Sequence, residues 1–296
     1  MCQSVYNFIV WDTTLLYGYK ISQIIAVFNQ AGGVGKTSLV NHLGYMLACQ
    51  KRLNRENQKR SQKKCDYYRV LLIDMDPQAS LTIFLGLDPY ELEKTVYHAI
   101  LHDEPLPIHR GLYAKEATSD GTPGVDLVPS NLGLALAERE LVSAVMSDFR
   151  LKEALTNFTE KYDFILIDCP PSLGNLSYIS LVAATHVLVP IQAQYKAFNG
   201  VQQLFDTIKL VRSRPNRQLK IAGFVPTMYD SRNSHDERTL AAITEQLSPV
   251  APVLPPIVRS TIFADASESH LPLPLYDKKH PALKAMNQII KSLELL

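Results

Sequence analysis

Short apolar runs recur along the chain, and each is followed by a segment whose apolar positions have helical spacing. Five runs predict buried parallel strands: Ile24–Phe28, Val70–Ile73, Phe164–Ile167, Val187–Ile191 and Ile221–Val225. Helical patterns lie between them, as at Ser38–Gln50 and Leu134–Ala144. This alternation predicts right-handed βαβ units. The expected fold is therefore α/β, with one doubly wound, mostly parallel sheet and helices on both faces.

Two segments depart from this alternation. Residues 1–20 precede the first core strand and are interpreted as an N-terminal extension, either an extra strand or a loose tail. The second is an insertion at 51–66, where KRLNRENQKRSQKK holds seven basic residues and one acidic residue. Such a run is typical of a solvated loop. Because no internal repeat or long linker occurs, residues 1–296 are predicted to form a single domain.

The composition is that of an ordinary globular protein, with 46% hydrophobic and 20% charged residues and a net charge of +1. This charge argues against a protein that is basic all over, although it leaves room for a local basic face. The N-terminus does not resemble a secretory signal, since no Lys or Arg precedes Lys20. The four cysteines form no CxxC pair, which favours a reducing cytoplasm over a zinc site or disulfides.

The C-terminal segment HPALKAMNQIIKSLELL predicts a helix with one buried face. Its apolar positions at helical spacing are Ala285, Met286, Ile289, Ile290, Leu293 and Leu296. A membrane-binding amphipathic helix is the alternative interpretation. Because only two lysines accompany these positions, Lys284 and Lys291, packing against the core is favoured.

A glycine-rich turn, NQAGGVGKTS, follows the first strand and leads into the first helix. Glycines let a backbone wrap closely around phosphate oxygens, and the helix N-terminus adds its positive dipole end. Lys36 can reach the β- and γ-phosphates as a point charge, and the Thr37 hydroxyl is placed to bind Mg²⁺. The strand–turn–helix context therefore predicts a nucleotide site.

Carboxylates follow two later strands. VLLIDMDPQAS contains Asp74 and Asp76, and FILIDCPPS contains Asp168. At the carboxyl edge of a parallel sheet, such a carboxylate lies in the ligand crevice, where it can hold hydrated Mg²⁺ or orient an attacking water. Any one of these aspartates could instead be a helix N-cap. The occurrence of three of them after strands makes that interpretation weaker.

Five motifs occur in order: NQAGGVGKTS, LLIDMDPQASLT, FILIDCPPSLGNLS, VPIQAQYKAFNGVQQL and PTMYDSR. From about Ile24 to the C-terminus the chain resembles the ParA family of deviant Walker-box ATPases, which are P-loop NTPases with a deviant Walker A motif. The resemblance implies a cytoplasmic, nucleoid-associated ATPase that uses ATP and Mg²⁺. It implies a homodimer that sandwiches ATP, binds non-specific double-stranded DNA and positions a cargo. It also implies a small adaptor protein that stimulates hydrolysis, and no membrane partner.

The resemblance also implies residue roles. Lys36 matches the phosphate-binding lysine, Asp76 the aspartate that orients the lytic water, and Asp168 the Walker B aspartate acting with Thr37 on Mg²⁺. The remaining nucleotide contacts implied by the match are Ala31, Gly32, Gly33, Val34, Gly35, Ser38, Asp74, Thr227, Met228, Pro255 and Pro256. The stretch Thr227–Asp230 and the loop Pro255–Arg259 match the region that holds adenine in the family.

Ala31 departs from the family pattern, because ParA relatives carry there a lysine that reaches across the dimer to the partner's ATP. Alanine has no charge and no donor. The departure resembles the branch of the family that positions carboxysomes, whose members also lack this lysine and are thought to use a lysine from the C-terminal half. Lys152 is the candidate replacement here and Arg150 a possible substitute, while the plain alternative is an ordinary exposed helix lysine.

A basic segment, KLVRSRPNRQLK, is the candidate DNA-binding surface. Its cations are Lys209, Arg212, Arg214, Arg217 and Lys220, and Arg259 and Arg232 are expected nearby after folding. Paired across a dimer, such a patch would bind phosphates without sequence preference and with strong salt dependence. The lack of aromatic residues argues against single-strand recognition. A solvated helix end and loop is the alternative.

Three functions follow from the resemblance. The first is an ATPase that positions carboxysomes on nucleoid DNA, with a plasmid or chromosome partition ATPase as the alternative. The second is a membrane-positioning ATPase of the MinD kind, which the weak basic face of the C-terminal helix disfavours. The third is a metabolic or metal-delivery enzyme on the same fold, such as an iron-protein reductase, for which Cys169 alone is a poor match.

Overall fold

The computed structural model describes residues 22–51, 67–114, 124–193 and 197–296, and of residues 197–200 it describes the backbone alone. A seven-stranded sheet has the order β3-β4-β2-β5-β1-β6-β7. The strands are β1 Gln23–Val27, β2 Val70–Asp74, β3 His109–Leu112, β4 Val125–Val128, β5 Phe164–Asp168, β6 His186–Gln192 and β7 Lys220–Thr227. Every neighbouring pair is parallel except β3 and β4, which are antiparallel.

The helices connect these strands and continue beyond the last one. They are α1 Lys36–Ala48, α2 Ser80–Phe84, α3 Val96–His102, α4 Leu134–Glu140, α5 Arg150–Leu155, α6 Asn175–Ala183, α7 Ala197–Ser213, α8 Ser234–Leu247, α9 Ile262–Glu268, α10 Leu273–Tyr276 and α11 Ala282–Leu293. The predicted α/β fold, a mostly parallel sheet between helices, is confirmed.

Two apolar cores lie on opposite faces of the sheet. Along β1, Ile24 and Ala26 join one core, whereas Ile25 and Val27 join the other, because successive side chains of a strand point to opposite faces. The first core includes side chains from α3 to α8, and the second includes those of α1 and α11. A central parallel strand is therefore apolar on both faces, which explains its unbroken apolar run.

The parallel strands bring their carboxyl ends to one edge of the sheet, called here the carboxyl edge. The last residues of three adjacent strands are in register there: Val27 of β1 and Asp74 of β2 both pair with Asp168 of β5. The opposite edge, where these strands begin, is called the amino edge. The sheet thus places two carboxylates side by side at one crevice.

The strand predictions hold for β1, β2, β5, β6 and β7, and β3 and β4 were missed. β4 is only four residues long and carries Asp126 within VDLV, while β3 is an irregular antiparallel edge strand, HRGL. Neither has the long apolar run that reveals a buried strand. The predicted helix Leu134–Ala144 ends earlier, at Glu140. The predicted extension at residues 1–20 and residues 52–66 of the basic insertion lie outside the described residues.

The C-terminal helix α11 packs against the core, as its spacing predicts. Met286, Ile289, Ile290 and Leu293 are buried with side chains of α1, while Ala285 and Leu296 are half-buried. Among the described helices, none combines the length and apolar character needed to cross a membrane.

Replacing Ile289 with Ala tests this packing. The side chain is 0% exposed, so its truncation should lower the free energy of unfolding by about 2–5 kcal/mol through reduced burial and a residual cavity. Gln288→Ala, an exposed change on the same helix, should stay within about 0.5 kcal/mol. Urea unfolding of both variants measures the difference, and equal midpoints would contradict core packing of α11.

Candidate functional site

The loop between β1 and α1 forms a concave turn at the carboxyl edge. Gly33 and Gly35 have φ values of 71° and 86°, in the left-handed region that favours glycine. Asn29 braces the turn: its Oδ1 accepts the Ala31 N–H at 2.9 Å, and its Nδ2 donates to the Pro190 carbonyl of β6 at 2.7 Å. The loop is thereby held against the neighbouring strand.

Lys36 lies inside this turn. Its ammonium donates to the carbonyls of Asn29 and Ala31, each at 2.8 Å, and the residue is 7% exposed. Burial lowers the pKa of Lys36, and the negative charge of Asp168 opposes this effect. The loop therefore holds the positive charge of Lys36 on its concave side, and this arrangement is suited to binding an anion.

Asp168 ends β5 and is 1% exposed, yet neither of its carboxylate oxygens accepts a regular hydrogen bond from the described residues. Burial raises its pKa well above the usual value, the neighbouring charge of Asp74 raises it further, and the nearby Thr37 hydroxyl lowers it. A buried carboxyl of this kind is stabilised either by protonation or by a cation beside it. Carboxylate and hydroxyl oxygens are ligands that Mg²⁺ accepts, so Asp168 and Thr37 fit this ion.

Asp74 and Asp76 differ in their surroundings. Asp74 is 0% exposed; one oxygen accepts the Asp76 N–H at 3.1 Å, and the other accepts the N–H and hydroxyl of Thr82 at 2.9 and 2.7 Å. Burial raises the pKa of Asp74 to about 6, although these hydrogen bonds lower it. Asp76 is half-buried, and one of its oxygens accepts the Gln78 N–H at 2.9 Å. Asp74 is therefore a structural brace, and Asp76 is the carboxylate that can face a ligand.

A cavity of about 430 Å³ adjoins the start of α1. The residues that line it are Gly35, Ser38, Leu39, Gln192, Thr227, Met228, Ile257, Val258, Arg259, Ser260, Phe263 and Met286. Most of the surface that they present is apolar, which suits a planar base. Thr227 also donates its hydroxyl to the Val34 carbonyl at 2.9 Å, so the cavity wall is tied to the loop.

Phe263 is the aromatic wall of this cavity. Its ring centroid lies 5.5 Å from that of His42 and 5.7 Å from that of His280. Burial lowers the pKa of His42 to about 3, so this ring is neutral. The sequence did not reveal Phe263 or Met286, because they belong to α9 and α11 and no motif spacing links them to the loop.

The structure brings together most of the predicted nucleotide-binding residues. The loop residues 31–38 surround Lys36, and Thr227 and Met228 line the cavity as expected. Pro255 and Pro256 are not among its lining residues, where Ile257 and Val258 occur instead. Ile257, Val258 and Arg259 belong to the same predicted loop, Pro255–Arg259, and adenine binding by this loop stays a prediction.

The two cations proposed to replace the missing lysine differ. Lys152 is exposed on α5, a helix that packs on α3 and α6. Arg150 instead forms an ion pair with Asp103, with 2.5 Å between Nη1 and Oδ1. Lys152 is therefore the freer of the two, and its role in trans stays a prediction.

The predicted DNA-binding residues divide between the two edges of the sheet. Five of them are exposed at the end of α7 and the start of β7, on the amino edge: Lys209, Arg212, Arg214, Arg217 and Lys220. Arg259 lines the cavity at the carboxyl edge, and Arg232 follows β7 there and pairs with Asp230 at 3.0 Å. The expectation that Arg259 and Arg232 join the patch is therefore corrected, because the length of β7 separates them from it.

Asp168→Asn should stabilise the protein in the absence of nucleotide and Mg²⁺. The folded pKa of Asp168 is raised, so its stabilising contribution is present below the unfolded pKa of about 3.9 and is lost as pH rises through the folded value. Because asparagine does not ionise, the variant does not lose this stability as pH rises. At about pH 7.5 the variant should gain on the order of 1–2 kcal/mol in free energy of unfolding, shrinking toward about pH 4.

Thermal or urea unfolding across this pH range measures the effect of Asp168→Asn. Asp206→Asn, at an exposed position on α7, is the matched control and should change nothing. A variant at Asp168 that is less stable than the unsubstituted protein at about pH 7.5 would contradict the buried-charge account.

Comparison with known proteins places this site in a family. A family model described as an AAA domain (AAA_31) matches residues 22–221. The sequence is 37% identical over 214 residues to the sporulation initiation inhibitor protein Soj of Bacillus subtilis, covering 72% of this chain and 76% of Soj. It is 34% identical over 261 residues to the chromosome partitioning protein ParA of Caulobacter vibrioides, covering 87% and 88% of the two chains.

Solved structures show the same fold. A Mycobacterium smegmatis protein described as cobyrinic acid a,c-diamide synthase, with a bound ATP analogue and magnesium, has 33% identity and a TM-score of 0.73, covering 93% of this chain and 94% of its own. The ATP complex of an McdA variant from Cyanothece has 23% identity and a TM-score of 0.76, covering 93% and 97%. Because the family model covers most of this chain, and both Soj and ParA match across most of their own length, the chain belongs to the ParA family of P-loop proteins.

Proposed function

We propose that this chain is a Mg²⁺-dependent ATPase that dimerises around ATP and positions a cargo on DNA. The observation that carries the ATPase assignment is the buried carboxylate of Asp168, which has no regular hydrogen-bond donor among the described residues and lies beside the Thr37 hydroxyl. It occurs next to a loop whose only buried cation among the described residues is Lys36. The buried carboxyl of Asp168, the loop and the apolar cavity together fit a metal–nucleotide complex.

The roles of the residues follow from these positions. Thr37 and Asp168 would hold Mg²⁺, directly or through water, and the ion would neutralise charge on the β- and γ-phosphates. Lys36 would exchange its two carbonyl partners for phosphate oxygens. Asp76 would orient the attacking water, while the apolar cavity excludes water from the base.

The cation that acts across the dimer is proposed to be Lys152. Ala31 offers no charge, and its exposed position in the loop faces solvent in the single chain. Lys152 is exposed, so a second copy could meet it. A homodimer of this kind is consistent with the ParA family, to which the chain belongs.

The cargo is proposed to be a carboxysome, reached through a small adaptor protein that stimulates hydrolysis. Ala31 supports this choice, because the carboxysome-positioning branch also lacks the lysine. A plasmid or chromosome partition complex is the second candidate, and the name of one relative, the chromosome partitioning protein ParA of Caulobacter vibrioides, favours it. In both cases hydrolysis would reset the dimer.

Non-specific double-stranded DNA is proposed to bind the five-cation patch at the end of α7, which places the protein on the nucleoid. The five side chains are exposed, and Arg212 also donates from Nε to the Leu219 carbonyl at 2.7 Å, which stiffens the turn that presents them. Phosphate contacts of this kind carry no sequence information.

Asp76→Ala tests the ATPase assignment. ATP binding and ATP-dependent dimerisation should persist, because Asp76 is not among the cavity-lining residues, while kcat should fall about 100-fold or more without the group that orients water. Nucleotide titration, size-exclusion chromatography and phosphate release measure these properties. Asp206→Ala, at an exposed position on α7, is the control. Normal phosphate release by Asp76→Ala would contradict the assignment.

The double substitution of Arg214 and Arg217 by Gln tests the DNA patch. Each neutralised phosphate adds about 0.9 to the slope of log affinity against log salt, so a homodimer that loses two phosphate contacts in each subunit should have a slope smaller by about 3.6. Fluorescence anisotropy with a random-sequence duplex and ATP, between about 50 and 200 mM salt, measures the slope. Substituting the exposed Lys284 and Lys291 of α11 by Gln is the control of equal charge. Equal slopes for both double variants would contradict the patch.

A further inference from the structure

Two buried hydroxyl groups link the Asp76 segment to its neighbours. Thr82 lies on α2 and Ser130 follows β4, and both residues are 0% exposed. The Ser130 hydroxyl donates to the Asp76 carbonyl at 2.8 Å, and the Ser130 N–H donates to the Thr82 Oγ1 at 3.0 Å. Thr82 in turn donates its hydroxyl to Asp74 at 2.7 Å. Three chain segments are thus joined in a closed hydrogen-bonded ring.

This ring holds the backbone of Asp76 from both sides. The Asp76 N–H donates to Asp74 at 3.1 Å, and its carbonyl accepts from Ser130 at 2.8 Å and from the Ala79 N–H at 2.9 Å. Ala79 has a φ of 53°, a left-handed conformation that is costly for alanine. Such a conformation persists only where its surroundings hold it, which the ring does. The carboxylate of Asp76 is therefore aimed by a rigid turn.

The ring depends on groups that both donate and accept. The Thr82 hydroxyl donates to a carboxylate and accepts from a backbone N–H, and these roles need an oxygen with a hydrogen at that point. Both residues are fully buried, so a partner that loses its hydrogen bond cannot form a replacement with water. Neither Thr82 nor Ser130 lines the cavity, so their contribution to a reaction would pass through Asp76.

We propose that Ser130 and Thr82 are positioning residues, which hold Asp76 at the orientation required for hydrolysis without touching the nucleotide. The proposal rests on the proposed ATPase function. It adds a chain segment, the end of β4, that the sequence motifs of the site do not include.

Ser130→Ala is the first test. Removing the hydroxyl removes one of the two hydrogen bonds that the Asp76 carbonyl accepts, and we expect kcat to fall about tenfold while KM and the Kd for ATP stay unchanged. Ser22→Ala is the matched control, because Ser22 is 1% exposed and its hydroxyl also donates to backbone carbonyls, at the amino edge. Thermal unfolding confirms that both variants fold. An unchanged kcat, or equal changes in both variants, would overturn the proposal.

Thr82 allows a conservative rescue. Thr82→Val keeps the shape and removes the hydroxyl, so its kcat should fall about tenfold, whereas Thr82→Ser keeps the hydroxyl and should stay within about twofold of the unsubstituted protein. This contrast separates the hydrogen bond from packing alone. Val and Ser variants of equal kcat would exclude the role of the Thr82 hydroxyl.

A double-mutant cycle tests whether Ser130 acts through Asp76. Added to Asp76→Ala, the Ser130→Ala change should not lower the residual rate further, because the group that it positions is already absent. A second, independent tenfold decrease would overturn the proposal. If Asp76→Ala hydrolyses ATP normally, the role of Asp76 in the proposed ATPase fails, and the positioning proposal fails with it. If Asp76→Ala is inactive and Ser130→Ala is normal, only the positioning role fails.

Discussion

Negative charge is buried at the carboxyl ends of β2 and β5, where Asp74 and Asp168 lie side by side in register. Burial raises the pKa of both carboxyls, and the charge of Asp74 raises the pKa of Asp168 further. Among the described residues, none donates a regular hydrogen bond to Asp168. The site is thus less stable by itself than with a cation. Such strain is typical of functional sites, where stability is lost in exchange for binding.

The two carboxylates have separate roles because their donors differ. Asp74 receives three hydrogen bonds from Asp76 and Thr82, and it organises the turn that follows β2. Asp168 receives none of regular geometry from the described residues and remains available to an ion. Lys36, held by two loop carbonyls, lies close enough to Asp168 for its ammonium group to attract the carboxylate electrostatically. Asp74 therefore stabilises the turn at the site, whereas Asp168 remains available to bind an ion.

The fold also separates two surfaces. The nucleotide-sized cavity opens at the carboxyl edge, and the five-cation patch lies where α7 ends and β7 begins. α7, with 17 residues, spans about 25 Å between these edges. The helix follows β6, whose last residue, Gln192, lines the cavity. A single helix thus connects the two regions that the proposed function requires to act together.

The sequence by itself determined the α/β fold, five of the seven strands of the sheet, the glycine loop with Lys36 and Thr37, and the three carboxylates. Local patterns were enough here, because buried parallel strands are apolar on both faces and a phosphate loop is contiguous in sequence. Only the tertiary structure decided that Asp74 is a brace, that Phe263 walls the cavity, that Ser130 holds Asp76, and that Arg259 lies apart from the basic patch. These relations join residues that are distant in sequence, and they depend on strand order and on which hydrogen-bond partners remain after folding. No periodicity in the chain encodes either of them.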